Sequence, residues 1–465
     1  MRNFFVSLIA VCSMLCCVGD SQTVTGLVSF TDALSNYGGG GTLAQGRDGR
    51  LYGTTDGFSS NQTPDGTIYK VNTDGSGLDP FFTFNGSDGQ LPFSVILSTD
   101  GNYYGTTPYG GESNAGVLFK VTPTGNYTLL YQFSGGVDGG VPIGPIQASD
   151  GNFYGVTGTG GNGDGTVFKY SPSTGTLSTI LSLSADGSQG NVPAAQLIQA
   201  SDGSLYGVTD SGGTNNCGTI FRLTTTGVLL NVYSFPCGPG GSTPEAPLYE
   251  ASDGNLYGTT FYGGNKNSTR DCKRGCGIIF RLSHGRVSVI YRFSGYPNDG
   301  GLGGGLTEGT DGNLYGGTDV GGAQDFGTLY QITTSGQYKS LYSFVDSVGS
   351  GPVGPLMQHT NGKFYGTAAF GGQGYGTVYS LDMGLTPFIA LVRHTGRIGQ
   401  AVQILGQGLT GSTAVTINGV ASTSFKVVTD RYMTAVIPTG AATGPVVVTT
   451  TTGTLTSNHN LQIVQ

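Results

Sequence analysis

The residues best suited to acid and base chemistry are the four glutamates, Glu112, Glu245, Glu250 and Glu308. A glycoside hydrolase needs two carboxyl groups placed across the scissile bond. Glu112 and Glu245 lie in variable, glycine-rich segments, where an exported polysaccharide hydrolase or lyase could use them. The four histidines are scattered and form no pattern typical of a Ser-His-Asp triad or a metal site. The sequence therefore favours a protein that is not an enzyme.

The chain is organised by a repeat in which an Asp-Gly or Asn-Gly turn is followed by a Tyr-Gly pair, seven times at intervals of 50 to 58 residues. These turns begin at Asp48, Asp100, Asp150, Asp202, Asp253, Asp311 and Asn361. Repeats near 50 residues, made of short strands and glycine turns, are typical of β-propellers, in which each repeat forms one four-stranded sheet. The sequence therefore predicts an all-β fold with a seven-bladed propeller over residues 22–384 and almost no helix.

The third repeat shows the four predicted strands, at residues 142–148, 153–157, 165–170 and 176–183. The turns suit tight hairpins because Gly adopts positive φ freely and Asp or Asn tolerates it. The seventh repeat lacks a fourth strand, whereas residues 24–30 form a strand-like segment without a local partner. We predict that residues 24–30 pair with residues 376–381 and close the ring, which removes an exposed sheet edge.

One position just before the Asp-Gly turn carries an amide or an acid in six repeats. Its occupants are Gln45, Gln147, Gln199, Glu250, Glu308 and Gln358. A set of amides and acids at one level of the first strands predicts hydrogen bonds to turn backbones or the lining of an axial channel. Catalysis by Glu250 and Glu308 is the weaker interpretation.

Four cysteines lie beyond residue 21, at Cys217, Cys237, Cys272 and Cys276. Cys217 and Cys276 occupy the same place in neighbouring repeats, whereas Cys237 follows a fourth strand and Cys272 lies in a local insertion. We expect two disulfides, Cys217–Cys237 and Cys272–Cys276. Zinc is the alternative for the second pair, but no histidine or second cysteine pair is placed beside it.

Composition excludes several classes of protein. Glycine accounts for 85 of 465 residues and charged residues for 10%, with a net charge of −8 and no basic stripe, so we expect no nucleic-acid partner. The chain has no tryptophan, which argues against WD-type, quinoprotein and kelch propellers. The sequence carries no signal for an oligomeric state.

Residues 1–21 have the pattern of a secretory signal peptide, with Arg2 before an apolar run and small residues at Gly19 and Ser21. A membrane anchor is the alternative, although the run is short. Lipoprotein processing at Cys16 or Cys17 lacks the preceding small-residue pattern. No other segment is predicted to span a bilayer, so we expect a secreted, extracellular or cell-surface protein.

Beyond residue 384 the repeat stops and short alternating strands predict a β-sandwich over residues 385–465. The Gly406-x-Gly408 step, the Asn418-Gly419 hairpin, Asp430, Pro438 and the run 444–448 resemble the IPT/TIG branch of immunoglobulin-like folds. We expect a spacer or partner-docking role for this part of the chain.

The Ser-Asp-Gly-Asn-Leu/Phe-Tyr-Gly core, the Gly-Gly doublet and the Gly-Thr-Val-Phe-Lys strand of the repeats resemble the GloVer (Gloeo/Verruco) tandem repeats of secreted bacterial proteins. The resemblance covers about residues 23–382. It implies surface or extracellular placement, often with a C-terminal anchoring signal. The sequence to Gln465 shows no such signal, so covalent anchoring is not expected. The family implies no defined activity.

Variable loops are predicted to gather on one face of the propeller, where recognition normally occurs. The candidate ligand-binding residues are Tyr109, Glu112, Glu245, Phe261, Tyr262, Arg270, Phe370 and Tyr375. Aromatic rings with acids and amides suit a carbohydrate or a surface protein, and loop acids could hold Ca²⁺ as the one cofactor. The alternative is that these residues only form loops.

Overall fold

The computed structural model describes residues 22–31, 37–38, 41–56, 65–266, 272–352 and 354–464. The predicted signal peptide, residues 1–21, lies outside the described residues. Within these ranges the chain is all-β, with a 3₁₀ turn at Gly238–Gly240. The prediction of an all-β chain with almost no helix is confirmed.

Each of the seven repeats contributes strands to one antiparallel sheet in the described part of the chain, and we number these sheets 1 to 7. Sheet 1 consists of Tyr37–Gly38, Ala44–Gln45, Leu51–Asp56, Thr67–Val71 and Asp79–Thr83. Sheet 2 consists of Ser94–Leu97, Tyr103–Thr107, Val117–Val121 and Tyr127–Gln132. Sheet 3 consists of Gly140–Gln147, Phe153–Thr159, Thr166–Ser171 and Thr176–Ser182. Sheet 4 consists of Asn191–Pro193, Ile198–Gln199, Leu205–Ser211, Thr219–Leu223 and Leu229–Ser234.

The remaining three sheets follow the same order along the chain. Sheet 5 consists of Tyr249–Glu250, Leu256–Thr260, Ile278–Ser283 and Arg286–Arg292. Sheet 6 consists of Gly301–Glu308, Leu314–Val320, Thr328–Ile332 and Tyr338–Ser343. Sheet 7 consists of Met357–Gln358, Phe364–Ala368, Thr377–Asp382 and the N-terminal strand Thr23–Ser29.

The repeated sequence motif is explained by contacts inside each sheet. The Asp150 carboxylate accepts a hydrogen bond from the Tyr154 hydroxyl at 2.7 Å and from the Asn152 backbone N–H at 3.0 Å, which fixes the turn. Gly155 is required because an added Cβ would lie 2.4 Å from Cζ of Phe168 on the third strand. The Asp-Gly turn and the Tyr-Gly pair therefore stabilise the hairpin within each sheet and allow close packing on the third strand.

The N-terminal strand completes sheet 7. Thr23–Ser29 pairs antiparallel with Thr377–Asp382, and Thr25 lies opposite Ser380. The Phe30 N–H then donates to the Gly376 carbonyl at 3.0 Å, as the Phe133 N–H donates to Gly116 in sheet 2. The predicted pairing of residues 24–30 with residues 376–381 is confirmed.

Neighbouring sheets are linked by the amide and acid position that precedes the Asp-Gly turn. Gln147 accepts the backbone N–H of Thr99 in sheet 2 at 3.0 Å, and Glu308 accepts that of Ser252 in sheet 5 at 2.7 Å. Gln45 accepts the N–H of Thr360 at 3.0 Å, so sheet 1 is linked to sheet 7. The prediction that this position bonds turn backbones is confirmed, and the Glu250 and Glu308 carboxylates are both used for it.

The connections fall on two opposite faces because antiparallel strands alternate in direction. The Asp-Gly turns and the turns between third and fourth strands share one end of the sheets, which we call the turn face. The Gly-Gly loops and the segments that lead to the next sheet share the other end, which we call the loop face.

Residues from 385 onward form two antiparallel four-stranded sheets and a two-stranded parallel pair. The first consists of Ala390–Leu391, Ala401–Leu405, Tyr432–Val436 and Phe425–Thr429. The second consists of Val420–Ala421, Ala414–Ile417, Val446–Thr450 and Gly453–Thr456, and the pair of Thr395–Gly396 and Gln462–Ile463. Their facing sides share one apolar core that includes Ile404, Ile417, Met433 and Val448.

This C-terminal unit lies against the turn face. Gln407 donates to the Thr360 hydroxyl at 2.9 Å, the Arg47 guanidinium lies 4.4 Å from the Tyr432 ring centroid, and His459 contacts the Tyr249 hydroxyl at 3.1 Å. These contacts reach sheets 7, 1 and 5. Part of the turn face is therefore covered by the chain itself, whereas the loop face has no such cover among the described residues.

Candidate functional site

A recurring backbone turn brings each chain segment from the loop face into a first strand. Leu91, Val141, Val192 and Thr243 adopt left-handed φ values of 55° to 59°, and a proline follows each of them. This conformation is strained for branched residues. It is held because the N–H of the left-handed residue donates to the preceding sheet, as Thr243 does to the Cys217 carbonyl at 3.0 Å.

Residues that follow the turns at Leu91, Val192 and Thr243 line one cavity of about 290 Å³, together with residues from three other repeats, and we call it the central cavity. Its wall comes from sheets 1, 2, 4, 5, 6 and 7 and from the segments that lead into them. The lining residues are Thr42, Phe93, Ala195, Gln196, Glu245, Ala246, Pro247, Phe261, Leu302, Gly303, Gly304, Gly354 and Pro355. Convergence of six sheets on a mostly apolar pocket with few polar groups is typical of a ligand site.

The carboxyl group of the central cavity belongs to Glu245. Partial burial against the cavity wall, with the negative charge of Asp210 adding to it, raises the pKa of Glu245 from 4.5 to about 7. Burial also raises the pKa of Asp210. A neutral carboxyl can donate a hydrogen bond and a carboxylate can only accept one, so Glu245 is able to do either near neutral pH.

We expect Glu245→Gln to be stabilising at high pH only. A glutamate with a raised folded-state pKa contributes stability below its unfolded pKa of 4.5, and this contribution is lost as the pH rises through about 7. The variant should melt close to the wild type at about pH 5 and above it at about pH 8.5. Melting curves at the two pH values check this, and an equal offset at both would contradict it.

Aromatic rings form the other recognisable part of the cavity wall. Phe93 is 45% exposed, and Phe261 stands at the end of the second strand of sheet 5, the position that Asp210 holds in sheet 4. The Phe261 ring meets the Tyr262 ring edge-on at 5.0 Å, and the Arg274 guanidinium lies 5.4 Å from the Tyr262 centroid. Tyr262 therefore braces Phe261 and does not line the cavity.

The structure gathers only two of the predicted ligand-binding residues in the cavity, Glu245 and Phe261. Tyr109 and Phe370 are exposed on the loop face, at 40% and 46%, outside the lining. Glu112 is exposed in the second repeat, where its backbone N–H donates to Gln132 at 2.7 Å.

Two further predicted ligand-binding residues lie elsewhere. Tyr375 is partly buried against the core around Phe30 and Tyr69, and Arg270 lies outside the described residues. Glu112 and Glu245 are therefore not brought together in the central cavity, as a two-carboxylate glycosidase would require.

Phe93 and Gln196 line the cavity but were not predicted from the sequence. Both lie in segments that lead into first strands, where apolar and amide residues are ordinary. The proline at residue 92, which follows a bulky left-handed residue, was the signal that Phe93 leaves the strand pattern.

Two disulfides fix the loops of the neighbouring fourth and fifth repeats. Cys217 is bonded to Cys237 with Cα atoms 5.5 Å apart, and Cys272 to Cys276 with Cα atoms 4.6 Å apart. Cys217 and Cys276 accept the backbone bonds that hold the left-handed residues Thr243 and Leu302. Across the ranges that the structure describes, no group of three or more histidine, cysteine or acidic residues is arranged to hold a metal ion.

The family model described as the Gloeobacter/Verrucomicrobia repeat matches residues 17–199, 127–270 and 269–413. Together these three matches cover most of the sequence. The chain belongs to this repeat family. The resemblance predicted from the Asp-Gly and Tyr-Gly motifs is thereby confirmed for the repeats, and the central cavity is built by loops of a Gloeobacter/Verrucomicrobia repeat protein.

Among solved structures, this repeat protein is similar to a fungal alcohol oxidase of the AA5 family in complex with copper. The identity is 14%, the TM-score is 0.54, and the match covers 95% of this chain and 98% of the oxidase. At this identity the likeness shows a shared fold and nothing about activity. None of the curated proteins matches the chain.

Two bacterial structures are more distant from the repeat protein. A gluconolactonase from Xanthomonas campestris has 11% identity and a TM-score of 0.39, over 62% of this chain and 84% of the enzyme. TolB from Acinetobacter baumannii has 14% identity and a TM-score of 0.40, over 62% of each chain. These two likenesses are too weak to support an argument. In the described ranges, no helix of the repeat protein has the length and apolar character needed to cross a bilayer.

Proposed function

We propose that the chain is an exported, non-enzymatic binding protein, secreted or held at the cell surface, whose central cavity takes a carbohydrate. The observation that carries this proposal is the composition of that cavity. Phe93 and Phe261 offer flat apolar faces for the C–H face of a sugar ring, and Glu245 and Gln196 offer hydrogen bonds to its hydroxyl groups.

The proposed scaffold is a closed, seven-bladed β-propeller over residues 22–384 with an IPT/TIG-like domain over residues 385–465. The pairing of Thr23–Ser29 with Thr377–Asp382 and the hydrogen bond from Thr360 to Gln45 support closure. The two facing four-stranded sheets and their common core support the C-terminal assignment.

Export is supported by the signal-peptide pattern of residues 1–21 and by the two disulfides, which are typical of oxidising compartments. Adhesion or ligand capture outside the cell would suit a rigid scaffold that presents loops on one face. No metal is part of the proposal, and loop-bound Ca²⁺ is tested with a chelator.

A glycan array probed with residues 22–465, with and without chelator, tests the proposal. We expect saturable binding that falls about tenfold or more in the double variant Phe93→Ala with Phe261→Ala, since both stacking faces are lost. Tyr109→Ala, an exposed loop-face residue outside the cavity, is the control and should bind like the wild type. Binding unchanged by the Phe93 and Phe261 substitutions would overturn the assignment of the cavity.

A surface protein as ligand would give a different result, because a protein contacts the wider rim of the loop face. The double variant Tyr262→Ala with Phe370→Ala would then lose binding while the cavity variant kept it. That outcome would replace the carbohydrate proposal with a protein-adhesion function on the same face.

An exported polysaccharide hydrolase or lyase is the second candidate. It is favoured by the raised pKa of Glu245, because a carboxyl that titrates near neutrality suits general acid or base work, and Asp210 lies close enough to contribute to the shift. A polysaccharide degradation screen tests it. Turnover that is abolished by Glu245→Gln would establish the enzyme, whereas no turnover in the wild type excludes it for the substrates screened.

A further inference from the structure

A second cavity, of about 260 Å³, opens between sheets 4 and 5 towards the turn face, and we call it the inter-sheet cavity. It is separate from the central cavity and shares none of its lining. Its lining includes Asp202, Tyr206, Arg222, Asn231, Tyr233 and Asn255.

The tyrosine of the Tyr-Gly pair shows that this cavity is a local exception among the repeats. Six of these seven tyrosines are buried, with exposures between 0% and 4%: Tyr52, Tyr104, Tyr154, Tyr257, Tyr315 and Tyr365. Tyr206 in sheet 4 is partly exposed and lines the inter-sheet cavity. The sequence of sheet 4 itself is ordinary here, so the cause lies in sheet 5.

The first cause is a shortened turn between the third and fourth strands of sheet 5. His284 and Gly285 have φ values of 49° and 75°, as in a two-residue type I′ hairpin. In sheet 4 the corresponding turn is longer, and a Cβ on Gly227 would lie 2.1 Å from the Ile180 carbonyl oxygen of sheet 3. The longer turn also brings the Thr225 carbonyl to the Tyr154 hydroxyl at 3.2 Å.

The short turn does not reach the preceding sheet in this way. The nearest atom to a Cβ on Gly285 would be Nδ2 of Asn231, at 3.8 Å. Tyr206 therefore lacks the cover that the turn of sheet 4 gives to Tyr154.

The second cause is a small side chain at the start of the fourth strand of sheet 5. Val287 pairs with Leu282 there, as Tyr338 pairs with Ile332 in sheet 6. Tyr338 stacks on Tyr291 of sheet 5 with ring centroids 4.2 Å apart. Val287 cannot cover the equivalent Tyr233 of sheet 4 in this way, so Tyr233 also faces the cavity.

Planar polar groups stand beside these two rings. The Arg222 guanidinium is 2.9 Å from the Asp202 carboxylate, which also accepts the Tyr206 hydroxyl at 2.9 Å. Arg222 lies 5.7 Å from the Tyr206 ring centroid and is 38% exposed. The amides of Asn231 and Asn255 add donors and acceptors at the rim.

We infer that the inter-sheet cavity is a binding site for one neutral monosaccharide unit. Two aromatic faces suit the apolar face of a pyranose ring, and a paired guanidinium and carboxylate suit neighbouring hydroxyl groups, one as donor and one as acceptor. Because Asp202 balances the charge of Arg222 and the Glu250 carboxyl group also lines the cavity, the pocket favours a neutral ligand over an anionic one. The inference does not depend on the ligand of the central cavity.

The test uses residues 22–465 and a panel of methyl hexosides and methyl N-acetylhexosaminides, with binding followed by saturation-transfer NMR and calorimetry. The decisive variant replaces the turn Ser283-His284-Gly285 with the Thr-Thr-Thr-Gly turn of sheet 4, which should cover Tyr206. We expect it to weaken binding about tenfold or more at an unchanged melting temperature.

Tyr206→Ala should give the same loss, and Tyr109→Ala, which changes an exposed loop-face residue outside both cavities, should bind like the wild type. Loss of binding in Phe261→Ala but not in the turn variant would assign the sugar to the central cavity and overturn the inference. No saturable binding of any glycoside in the panel would also overturn it.

Discussion

Deletion of residues 22–31 is expected to lower the melting temperature of the whole seven-sheet array in a single transition. Sheet 7 would lose its fourth strand, Thr23–Ser29, and the edge of Thr377–Asp382 would be left unpaired. Phe30, which is 1% exposed, would leave the core that it shares with Tyr69 of sheet 1 at a ring distance of 5.2 Å. The deletion therefore destabilises sheet 7 and sheet 1 together.

A point variant separates the packing of this strand from its backbone bonds. Phe30→Ala should cost about 3–5 kcal/mol, as expected for a buried phenylalanine. Phe133→Ala is the matched control, since Phe133 holds the same place in sheet 2 and is also 1% exposed. Equal losses in chemical denaturation would show that the N-terminal strand is a full member of the array. An unchanged stability of Phe30→Ala or of the deletion would contradict closure.

Gly165→Ala is expected to destabilise the packing of the third repeat against the fourth. A Cβ there would lie 2.6 Å from Cδ of Pro193, which follows the left-handed Val192 of the next repeat, and 2.4 Å from the Thr157 carbonyl oxygen. The substitution therefore pushes sheets 3 and 4 apart as well as straining the backbone at φ 99°.

Gly163→Ala separates the backbone strain from the steric contact. Gly163 has a φ of 119° and a Cβ there would meet nothing within 4 Å, so only the backbone strain applies. We expect Gly165→Ala to lose about 1–3 kcal/mol more than this control, as in overpacked cores. Equal unfolding free energies for the two variants would show that the proline of the next repeat does not press on this glycine.

The all-β repeat fold could be predicted largely from the sequence because the same short-range contacts recur in each repeat. The Asp-Gly turn and its tyrosine are fixed by contacts between residues less than five positions apart. Seven copies of the motif also allow an unclear strand in one repeat to be assigned from the others. The pairing of the N-terminal strand with sheet 7 could be predicted by counting, since the seventh repeat lacks a fourth strand and residues 24–30 have no local partner. The contact of the C-terminal unit with the turn face could not be predicted, because no sequence pattern relates Arg47 to Tyr432, which is far away along the chain.

The candidate site was only half predictable, for a different physical reason. Glu245 and Phe261 stand in variable loops, where recognition residues are expected. Phe93, Gln196 and Leu302 come from other repeats and meet them only because the sheets converge, a property of the tertiary structure. Tyr262 and Phe370 occupy the same kind of loop position, yet their backbones bridge to Ser242 and Ser350 and their rings stay outside the cavity lining.

The inter-sheet cavity has a signal in the sequence. Ser283-His284-Gly285 is shorter than the turn at the same place in sheet 4, and Val287 stands where sheet 6 has Tyr338. Such a departure from the repeat is informative. The neighbouring sheet packs against a turn of the usual length and a side chain of the usual size, so a shorter turn or a smaller side chain leaves a gap.

The measurement that tests the central claim most directly is a cross-link across the closing junction. Thr25 and Ser380 lie opposite each other in the antiparallel pair, where Cα atoms are close enough for a disulfide. The double variant Thr25→Cys with Ser380→Cys, purified under oxidising conditions, should form an intramolecular disulfide in a monomer and melt above the wild type, with both kept oxidised so that the native disulfides stay intact. Free thiols at both positions, or a cross-link only between two chains, would contradict a ring that is closed by its own N-terminal strand.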